Sequence, residues 1–477
     1  MVTRTAFASY VSILALTAAL SVSQAVGASE ILWTTNYGTD SGSCGSFGSP
    51  CRSISQAIEN AVDGDAIWVG AGQYGNVSGQ PGFAGPGDEH AQQLPPEYYD
   101  FQSCIICINK RVHIYSVSGA GVTTIDSGPN PSFSTTVLIV ADGVVFGSSG
   151  HGFTITGGNR NGVVIDLQNW SPGSKYGVTV AGNVDVNDGT GFTINGIEDD
   201  PFRGCPQPIN QYCPPIKGQI LLAANKALAN ATGFWVEPKA FGILGQRLTF
   251  LVQGNLALGA GTGYYVNPGL ANDCDECAND NWATVVSTVN NVAANGGVGF
   301  SMTRAGATTS NIATNNSQYG FLLVTAAAFT HNSATGNSGP GVIVALENPC
   351  YGCAAPSFGS FTQNNFYGND RKRPPLSLDG GYLPGTYNLG PAAHCGVLNM
   401  GAVWQAFNPT DAHGPPANTV PVTLQAHSNY WGSSKGPAPD GAADAAGGAC
   451  DQNNASTIAN PFSATLEPFT APVTSDP

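Results

Sequence analysis

The chain has 477 residues, of which 62 are Gly and 32 are Pro. These two residue types interrupt helices and regular strands, so their abundance excludes a helical bundle. Charged residues make up 10% of the chain and hydrophobic residues 42%, which excludes a disordered acidic tail and leaves ample material for a core. The net charge of −15 would repel phosphate backbones and anionic lipids, so nucleic acids and membrane surfaces are poor partners.

Residues 1–28 have the pattern of a cleavable signal peptide. Arg4 precedes an uncharged apolar segment over 11–22, and the small residues 26–28 lead to Ser29. No later stretch reaches the ~18 uninterrupted apolar residues that a membrane span needs. We therefore expect a soluble protein, secreted or periplasmic, that begins near Ser29 and has lost the charge of Arg4.

One amphipathic helix is predicted over residues 53–62. Ile54, Ile58 and Val62 recur at helical spacing, and Ser53 and Gln56 are placed as a capping box. A strand pattern begins at residue 66. Further short strands, separated by Gly and Asn, are predicted at 112–115, 137–140, 153–156, 163–165, 178–180 and 192–194.

The sequence repeats between residues 225 and 346. Five segments share an Asn, an Ala two residues later and a Gly that starts a strand, and a coil of 21 residues with insertions of 9 and 15 explains their spacing. A coil this short must stack on its neighbours, as in a β-solenoid. We expect each Asn to lie at a turn that tolerates positive φ and to bond the next coil. The segments are Asn225 to Gly233, Asn255 to Gly263, Asn291 to Gly299, Asn311 to Gly320 and Asn332 to Gly341.

The chain resembles the right-handed parallel β-helix repeat proteins of the pectin-lyase-like superfamily. The resemblance lies in the run SISQAIENAVDGDAIWVGAGQY (53–74), the run GFTITGGN (152–159), the Asn-x-Ala coils and the run NYWGSSKGP (429–437). It implies an all-β fold of three parallel sheets wound as a right-handed coil, with the short helix as an N-terminal cap. It does not imply one activity, since the superfamily holds lyases, hydrolases, epimerases and non-catalytic surface proteins.

Four regions follow from these patterns. Residues 1–28 are the signal peptide, 29–65 the N-terminal cap with its amphipathic helix, and 66–370 the parallel β-helix with disulfide-stapled loop insertions. Residues 371–477 form a loop-rich C-terminal region that closes the helix. The basic run 371–373 marks the end of the regular helix rather than a catalytic site.

Twelve cysteines in an exported chain predict six disulfides, five of them staples between neighbouring cysteines. The three C-x-x-C pairs could instead indicate zinc or redox chemistry, but they lie too far apart for a zinc ribbon. The last pair follows only by elimination. The predicted pairs are Cys44 with Cys51, Cys104 with Cys107, Cys205 with Cys213, Cys274 with Cys277, Cys350 with Cys353, and Cys395 with Cys450.

Two motifs resemble catalytic ones without the expected context. The tripeptide around His151 matches the Gly-His-Gly of polygalacturonase-like hydrolases, but the Asn-Thr-Asp and Arg-Ile-Lys motifs of that family are missing. We therefore predict a turn residue. Asp199 and Asp200 could form a general acid and base pair, but adjacent strand residues point to opposite faces, which favours a solvated loop.

Residues 272–280 gather four carboxylates and two amides in one stapled loop. Hard oxygen ligands at this density suit Ca²⁺, although the loop lacks the spacing of an EF-hand. The alternative is a plain acidic surface loop. The candidate ligands are Asp273, Asp275, Glu276 and Asp280.

Strand alternation indicates a better site. If the aromatic residue after each repeat Gly points inward, the next residue points outward, so Trp235 and Tyr265 stand one coil apart on the surface. Aromatic rings beside polar groups suit sugar binding, unless the insertions fold over them. The candidate binding residues are Trp235, Tyr265, Asn267 and Thr303. If the protein also cleaves its ligand, Glu237 is the candidate general acid or base, and Arg304 is placed to hold a uronate or a developing negative charge.

These features predict a protein that engages extracellular polysaccharide or a cell-surface glycan. It is either a lyase or glycoside hydrolase, or a non-catalytic protein for adhesion or matrix structure. Copper handling is a poor third hypothesis, since 3 Met and 7 His are scattered along the chain.

Overall fold

A computed structural model describes residues 29–77, 85–89, 92–93, 103–128, 134–157, 161–167, 175–196, 217–238, 247–267, 285–303, 305–323, 326–339, 341–344, 360–367, 369, 397–399, 424–425 and 456–457. Within these ranges the regular structure is almost entirely short strands, with one helix, α1 (Ile54–Asn60). No helix in the described ranges is long and apolar enough to cross a membrane.

The strands are numbered in chain order. The first seventeen are β1 (Ile31–Thr34), β2 (Ala66–Val69), β3 (Gly72–Gly75), β4 (Gln92–Gln93), β5 (Ser103–Ile108), β6 (His113–Ser116), β7 (Thr123–Asp126), β8 (Thr135–Ile139), β9 (Val145–Phe146), β10 (Thr154–Thr156), β11 (Asn161–Asp166), β12 (Lys175–Ala181), β13 (Val184–Val186), β14 (Thr190–Asn195), β15 (Lys217–Ala223), β16 (Lys226–Leu228) and β17 (Thr232–Glu237). The others are β18 (Arg247–Gln253), β19 (Leu256–Leu258), β20 (Thr262–Val266), β21 (Val285–Val289), β22 (Val292–Ala294), β23 (Val298–Met302), β24 (Ala305–Thr309), β25 (Ile312–Thr314), β26 (Phe321–Leu323), β27 (Ala326–Thr330), β28 (Ser333–Thr335), β29 (Val342–Val344), β30 (Ser360–Thr362), β31 (Asn365–Tyr367), β32 (Val397–Asn399), β33 (Leu424–Gln425) and β34 (Ser456–Thr457).

From β2 to β32, successive strands pass in turn to three long sheets, with β4 and β5 both in the third, while β33 and β34 form a separate parallel pair. The first sheet runs β1-β2-β6-β9-β12-β15-β18-β21-β24-β27-β30, the second β3-β7-β10-β13-β16-β19-β22-β25-β28-β31, and the third β4-β5-β8-β11-β14-β17-β20-β23-β26-β29-β32. Neighbours are parallel except β4 and β5. The predicted all-β, parallel β-helix fold with a short N-terminal helix is confirmed. Its first sheet begins inside the segment 29–65, and its third sheet ends beyond residue 370.

The cap helix begins where the capping pattern predicts. The Ser53 side chain accepts a hydrogen bond from the Gln56 backbone N–H at 3.2 Å, and Ile54 and Ile58 are buried. The predicted end was wrong: the helix stops at residue 60, and Val62 is 62% exposed. The backbone is extended at Ala61 (ψ 150°), and the Val62 N–H donates to the Asp65 carboxylate at 2.8 Å instead of to a helical carbonyl.

Inside the solenoid, aromatic rings stack from coil to coil. The ring that follows each of the first four repeat Gly residues points inward, the condition on which the alternation argument rests, and none of these rings is exposed. Centroid separations are 4.5–5.1 Å and the planes lie within 12° of parallel. The stack comprises Phe192, Phe234, Tyr264, Phe300 and Phe321.

A second interior row is a ladder of buried asparagines. Each backbone N–H and side-chain Nδ2 donates to the Oδ1 of the Asn one coil further on, at 2.8–3.3 Å. The predicted bonding of the repeated Asn residues to the next coil is thereby confirmed. The ladder runs through Asn183, Asn225, Asn255, Asn291, Asn311, Asn332 and Asn364.

The prediction of positive φ at these asparagines was wrong by one residue. The left-handed conformation belongs to the residue before the ladder Asn, for example Ala224 at 52° and Ser310 at 58°. That residue turns the chain at the corner, and the ladder Asn then resumes an ordinary conformation with its side chain directed inward.

Two of the six predicted disulfides lie in the described ranges, and both are present: Cys44–Cys51 and Cys104–Cys107. The other four predicted pairs lie outside the described residues. The first staple holds the loop that lines the outer edge of the first sheet, where the Trp33 N–H bonds the Gly45 carbonyl and the Cys51 N–H bonds the Trp33 carbonyl.

Candidate functional site

The outward face of the third sheet brings the predicted aromatic residues together. Strand register places Thr193, Trp235, Tyr265 and Ser301 on four consecutive coils. The rings of Trp235 and Tyr265 are 4.3 Å apart between centroids and tilted by 32°, and both residues are half-buried. The smaller Thr193 and Ser301 leave the aromatic pair flanked on both sides by short side chains.

A polar row lies beside this pair, two residues further along each strand. Register pairs Asn195 with Glu237, and backbone hydrogen bonds place Asn267 beside Val236 and Thr303 beside Val266. Glu237, Asn267 and Thr303 are all half-buried. Successive coils therefore present a carboxylate, an amide and a hydroxyl in line.

The two rows are joined by hydrogen bonds. The Trp235 indole Nε1 donates to the Glu237 carboxylate at 3.0 Å, and the Asn267 amide Nδ2 donates to the Tyr265 hydroxyl at 3.3 Å. We call Trp235, Glu237, Tyr265 and Asn267 the Trp235 cluster. These bonds orient both rings and fix each polar side chain beside its aromatic neighbour.

The four predicted binding residues thus lie together on this face. Glu237 is next to Trp235, whereas Arg304 lies outside the described residues. The same holds for the candidate calcium ligands Asp273, Asp275, Glu276 and Asp280. Within the described part of the chain, no group of three or more His, Cys, Asp or Glu side chains could hold a metal ion.

Sequence reasoning missed a second carboxylate in the polar row. Register pairs Asp166 with Asn195, so Asp166 stands two coils before Glu237. Asp166 is only 1% exposed, while Glu237 is half-buried. The signal was present as an Asp at the end of a predicted strand, but the register between coils was needed to align it with Glu237.

On the first coils of the solenoid, the outward face of the third sheet is buried. Leu138, Val164 and the Cys104–Cys107 disulfide form a separate apolar cluster, and all of these residues are fully buried. Register places Leu138 and Val164 in the row that continues to Thr193 and Trp235. Exposure along this row therefore begins at the aromatic pair.

His151 occupies the turn that the sequence predicts. Its Nδ1 lies 3.0 Å from the carbonyl oxygen of Ser116, and its ring meets the Trp68 ring edge-on, with centroids 5.4 Å apart. These contacts are with a backbone carbonyl and an indole rather than with a carboxylate. The other weighed acid and base pair, Asp199 and Asp200, lies outside the described residues.

Comparison with protein-family models, with curated proteins and with solved structures gave no match for this chain.

Proposed function

We propose that this protein is exported and binds extracellular polysaccharide through the Trp235 cluster. The proposal includes the cleavable signal peptide, the right-handed winding of the coil and membership of the pectin-lyase-like superfamily, all of which rest on sequence. The observation that carries the binding function is the outward pairing of Trp235 with Tyr265 beside Glu237, Asn267 and Thr303.

The chemistry of the Trp235 cluster suits a sugar ring. Aromatic rings attract the apolar C–H face of a pyranose, while carboxylate, amide and hydroxyl groups bond its hydroxyls. Because the polar groups repeat once per coil, about 4.8 Å apart, a chain of sugar units can meet one group per unit along the solenoid axis. The cluster is thus suited to a polymer rather than to a single sugar.

Glycoside hydrolysis is the second candidate, favoured by Asp166 and Glu237 in one row. Two coils correspond to about 9.6 Å between backbones, close to the upper end of the carboxyl separations of inverting enzymes. The burial of Asp166 opposes this role, since a catalytic carboxyl must reach the substrate or its attacking water. We therefore favour binding without cleavage.

The test uses the mature chain with a panel of neutral and uronate polysaccharides, with and without Ca²⁺. Trp235→Ala and Tyr265→Ala should each weaken binding by about 1–3 kcal/mol, as truncation of aromatic anchors commonly does. Tyr37→Ala removes an aromatic side chain that is 83% exposed and should leave binding unchanged. If both cluster variants bind normally but melt at a lower temperature, the rings are structural and the proposal fails.

Cleavage is read in the same samples by the appearance of reducing ends. If the protein hydrolyses its ligand, Glu237→Gln should abolish turnover while binding persists, and Asp166→Asn should reduce turnover as well. Turnover that survives both substitutions would remove these carboxylates from the mechanism. No turnover in the wild-type protein would support the binding role alone.

A further inference from the structure

Aromatic residues also line the outward face of the first sheet, at the N-terminal end of the solenoid. Register places Trp33, Trp68 and Tyr115 side by side on three consecutive strands, β1, β2 and β6. Phe47, in the stapled loop, meets the edge of Trp33 with centroids 5.2 Å apart, and His151 meets Trp68. We call these five residues the N-terminal aromatic face.

The three central rings point away from the core. In each strand they alternate with fully buried residues, such as Ile67 between Ala66 and Trp68. Trp33, Trp68 and Tyr115 are half-buried and Phe47 is 78% exposed. The N-terminal aromatic face therefore lies on the outside of the solenoid and is separate from the interior aromatic stack.

The rings on this face are spread rather than closely stacked. Trp33 and Trp68 are 6.5 Å apart at an interplanar angle of 28°, and Trp68 and Tyr115 are 5.4 Å apart at 40°. Both separations exceed the 4.3 Å between Trp235 and Tyr265. Since neighbouring backbones are only about 4.8 Å apart, the indoles are displaced sideways and do not cover one another's faces completely.

Hydrogen-bond donors on this face are available to a ligand. Within the described part of the chain, the indole nitrogens of Trp33 and Trp68 and the hydroxyl of Tyr115 take part in no hydrogen bond. The indole of Trp235, in contrast, is bonded to Glu237. The N-terminal aromatic face thus combines ring surface that the neighbouring rings cover only in part with indole N–H and hydroxyl groups that can bond a ligand.

We propose that the N-terminal aromatic face is a second glycan-binding site, which binds a neutral, extended, β-linked polysaccharide chain along the solenoid axis. Stacking on ring faces requires sugars with a flat apolar face. One ring recurs on each of three neighbouring strands, so successive units of a sugar chain laid along the solenoid axis can each meet one ring. The proposal shares only the ligand class with the proposed function and involves different residues.

Charge selects a neutral ligand over a uronate polymer or an anionic protein. The five residues include no Asp, Glu, Lys or Arg, and the one imidazole, His151, has its Nδ1 3.0 Å from the Ser116 carbonyl oxygen, so the face offers no lysine or arginine to pair with a carboxylate. The chain as a whole carries a net charge of −15, which repels polyanions. A second copy of this chain would bring the same net charge, and its docking would be an alternative outcome of the test.

The experiment titrates the full mature chain with cellohexaose, a neutral β-linked hexasaccharide, and with hexagalacturonate. Trp33→Ala and Trp68→Ala are compared with Trp33→Phe, Trp68→Phe, Tyr37→Ala and Trp235→Ala. We expect Trp33→Ala and Trp68→Ala each to weaken cellohexaose binding at least tenfold, with partial recovery in the Trp33→Phe and Trp68→Phe variants and little binding of hexagalacturonate. The melting temperatures of the variants report whether the cap remains folded.

The outcomes separate this site from the Trp235 cluster. Loss of cellohexaose binding in the Trp33 and Trp68 variants, with Tyr37→Ala unaffected, supports the N-terminal aromatic face whether or not Trp235→Ala also weakens binding. Loss only in Trp235→Ala overturns the second site and leaves the first. Wild-type protein that binds no neutral oligosaccharide, or a dimer that dissociates on Trp68→Ala, overturns the proposal.

Discussion

At the scale of single residues, Asp185 departs from the pattern of the interior. It points inward at the position held by Ala227 and Ala257 on the next coils, and it is fully buried. Its carboxyl accepts a hydrogen bond from the Asn230 amide and lies beside the carboxyl of Asp188. Burial, followed by the charge of Asp188, raises the pKa of Asp185 well above its usual value.

This raised pKa predicts that stability falls as pH rises. The folded state holds the proton more tightly than the unfolded state, so its contribution is complete below the unfolded pKa, near 4, and is lost as pH rises through the folded pKa. Asp185→Asn should flatten the decline in the free energy of unfolding that is measured as pH rises from about 4. The exposed Asp63→Asn is the control, and an unchanged slope in Asp185→Asn would contradict the prediction.

At the scale of elements, the stapled loop protects the first strand. Strand β1 is the end of an 11-stranded sheet, and such an edge is a template for pairing with another chain. The loop covers it with backbone hydrogen bonds between Trp33 and both Gly45 and Cys51, and the Cys44–Cys51 disulfide holds that loop closed.

Removal of this staple should expose the edge. We expect the double variant Cys44→Ser and Cys51→Ser to lose about 2 kcal/mol of stability and to associate at high protein concentration. Light scattering and thermal unfolding check both effects. Ser43→Ala, in the same loop, should behave as wild type; a double variant that stays monomeric with an unchanged melting temperature would show that the loop closes without the disulfide.

At the scale of the whole molecule, stability is a sum over neighbouring coils. Each coil contacts its neighbours through the sheets. The aromatic stack from Phe192 to Phe321 and the asparagine ladder from Asn183 to Asn364 add further contacts between the coils that they span. The Asn291 amide accepts from both nitrogens of Asn255 and donates to the Val252 carbonyl and to Asn311. A defect at Asn291 should therefore affect the adjacent coils directly.

We expect Asn291→Ala to destabilise the protein by about 2–4 kcal/mol, because buried donors lose their acceptor. Amide hydrogen exchange should increase in β18–β25, which surround this rung, and remain unchanged in β1 and α1. Asn295→Gly is the matched control, since Asn295 is exposed with a φ of 55° that Gly also adopts. Uniformly faster exchange along the chain would indicate a single cooperative unit instead.

Local patterns in the sequence determined much of this architecture. Once the ring after each repeat Gly is taken as inward, strand alternation predicts that the next residue faces outward, and Phe234 and Tyr264 are indeed buried while Trp235 and Tyr265 are half-buried on the outer face. The start of α1 and the first two disulfides followed from residues close together in the chain. These features depend on short-range geometry, which a single sequence displays directly.

The tertiary structure alone decided which distant residues become neighbours. Segments of unequal length separate Trp33, Trp68 and Tyr115, which are aligned across the first sheet. The same is true of Asp166, Asn195 and Glu237 in the third sheet, so no constant sequence spacing reveals either alignment. The burial of Asp185 likewise depends on the coils that pack around it. Register between coils is set by hydrogen bonds across the whole solenoid, and insertions of varied length between strands hide that register from the linear sequence.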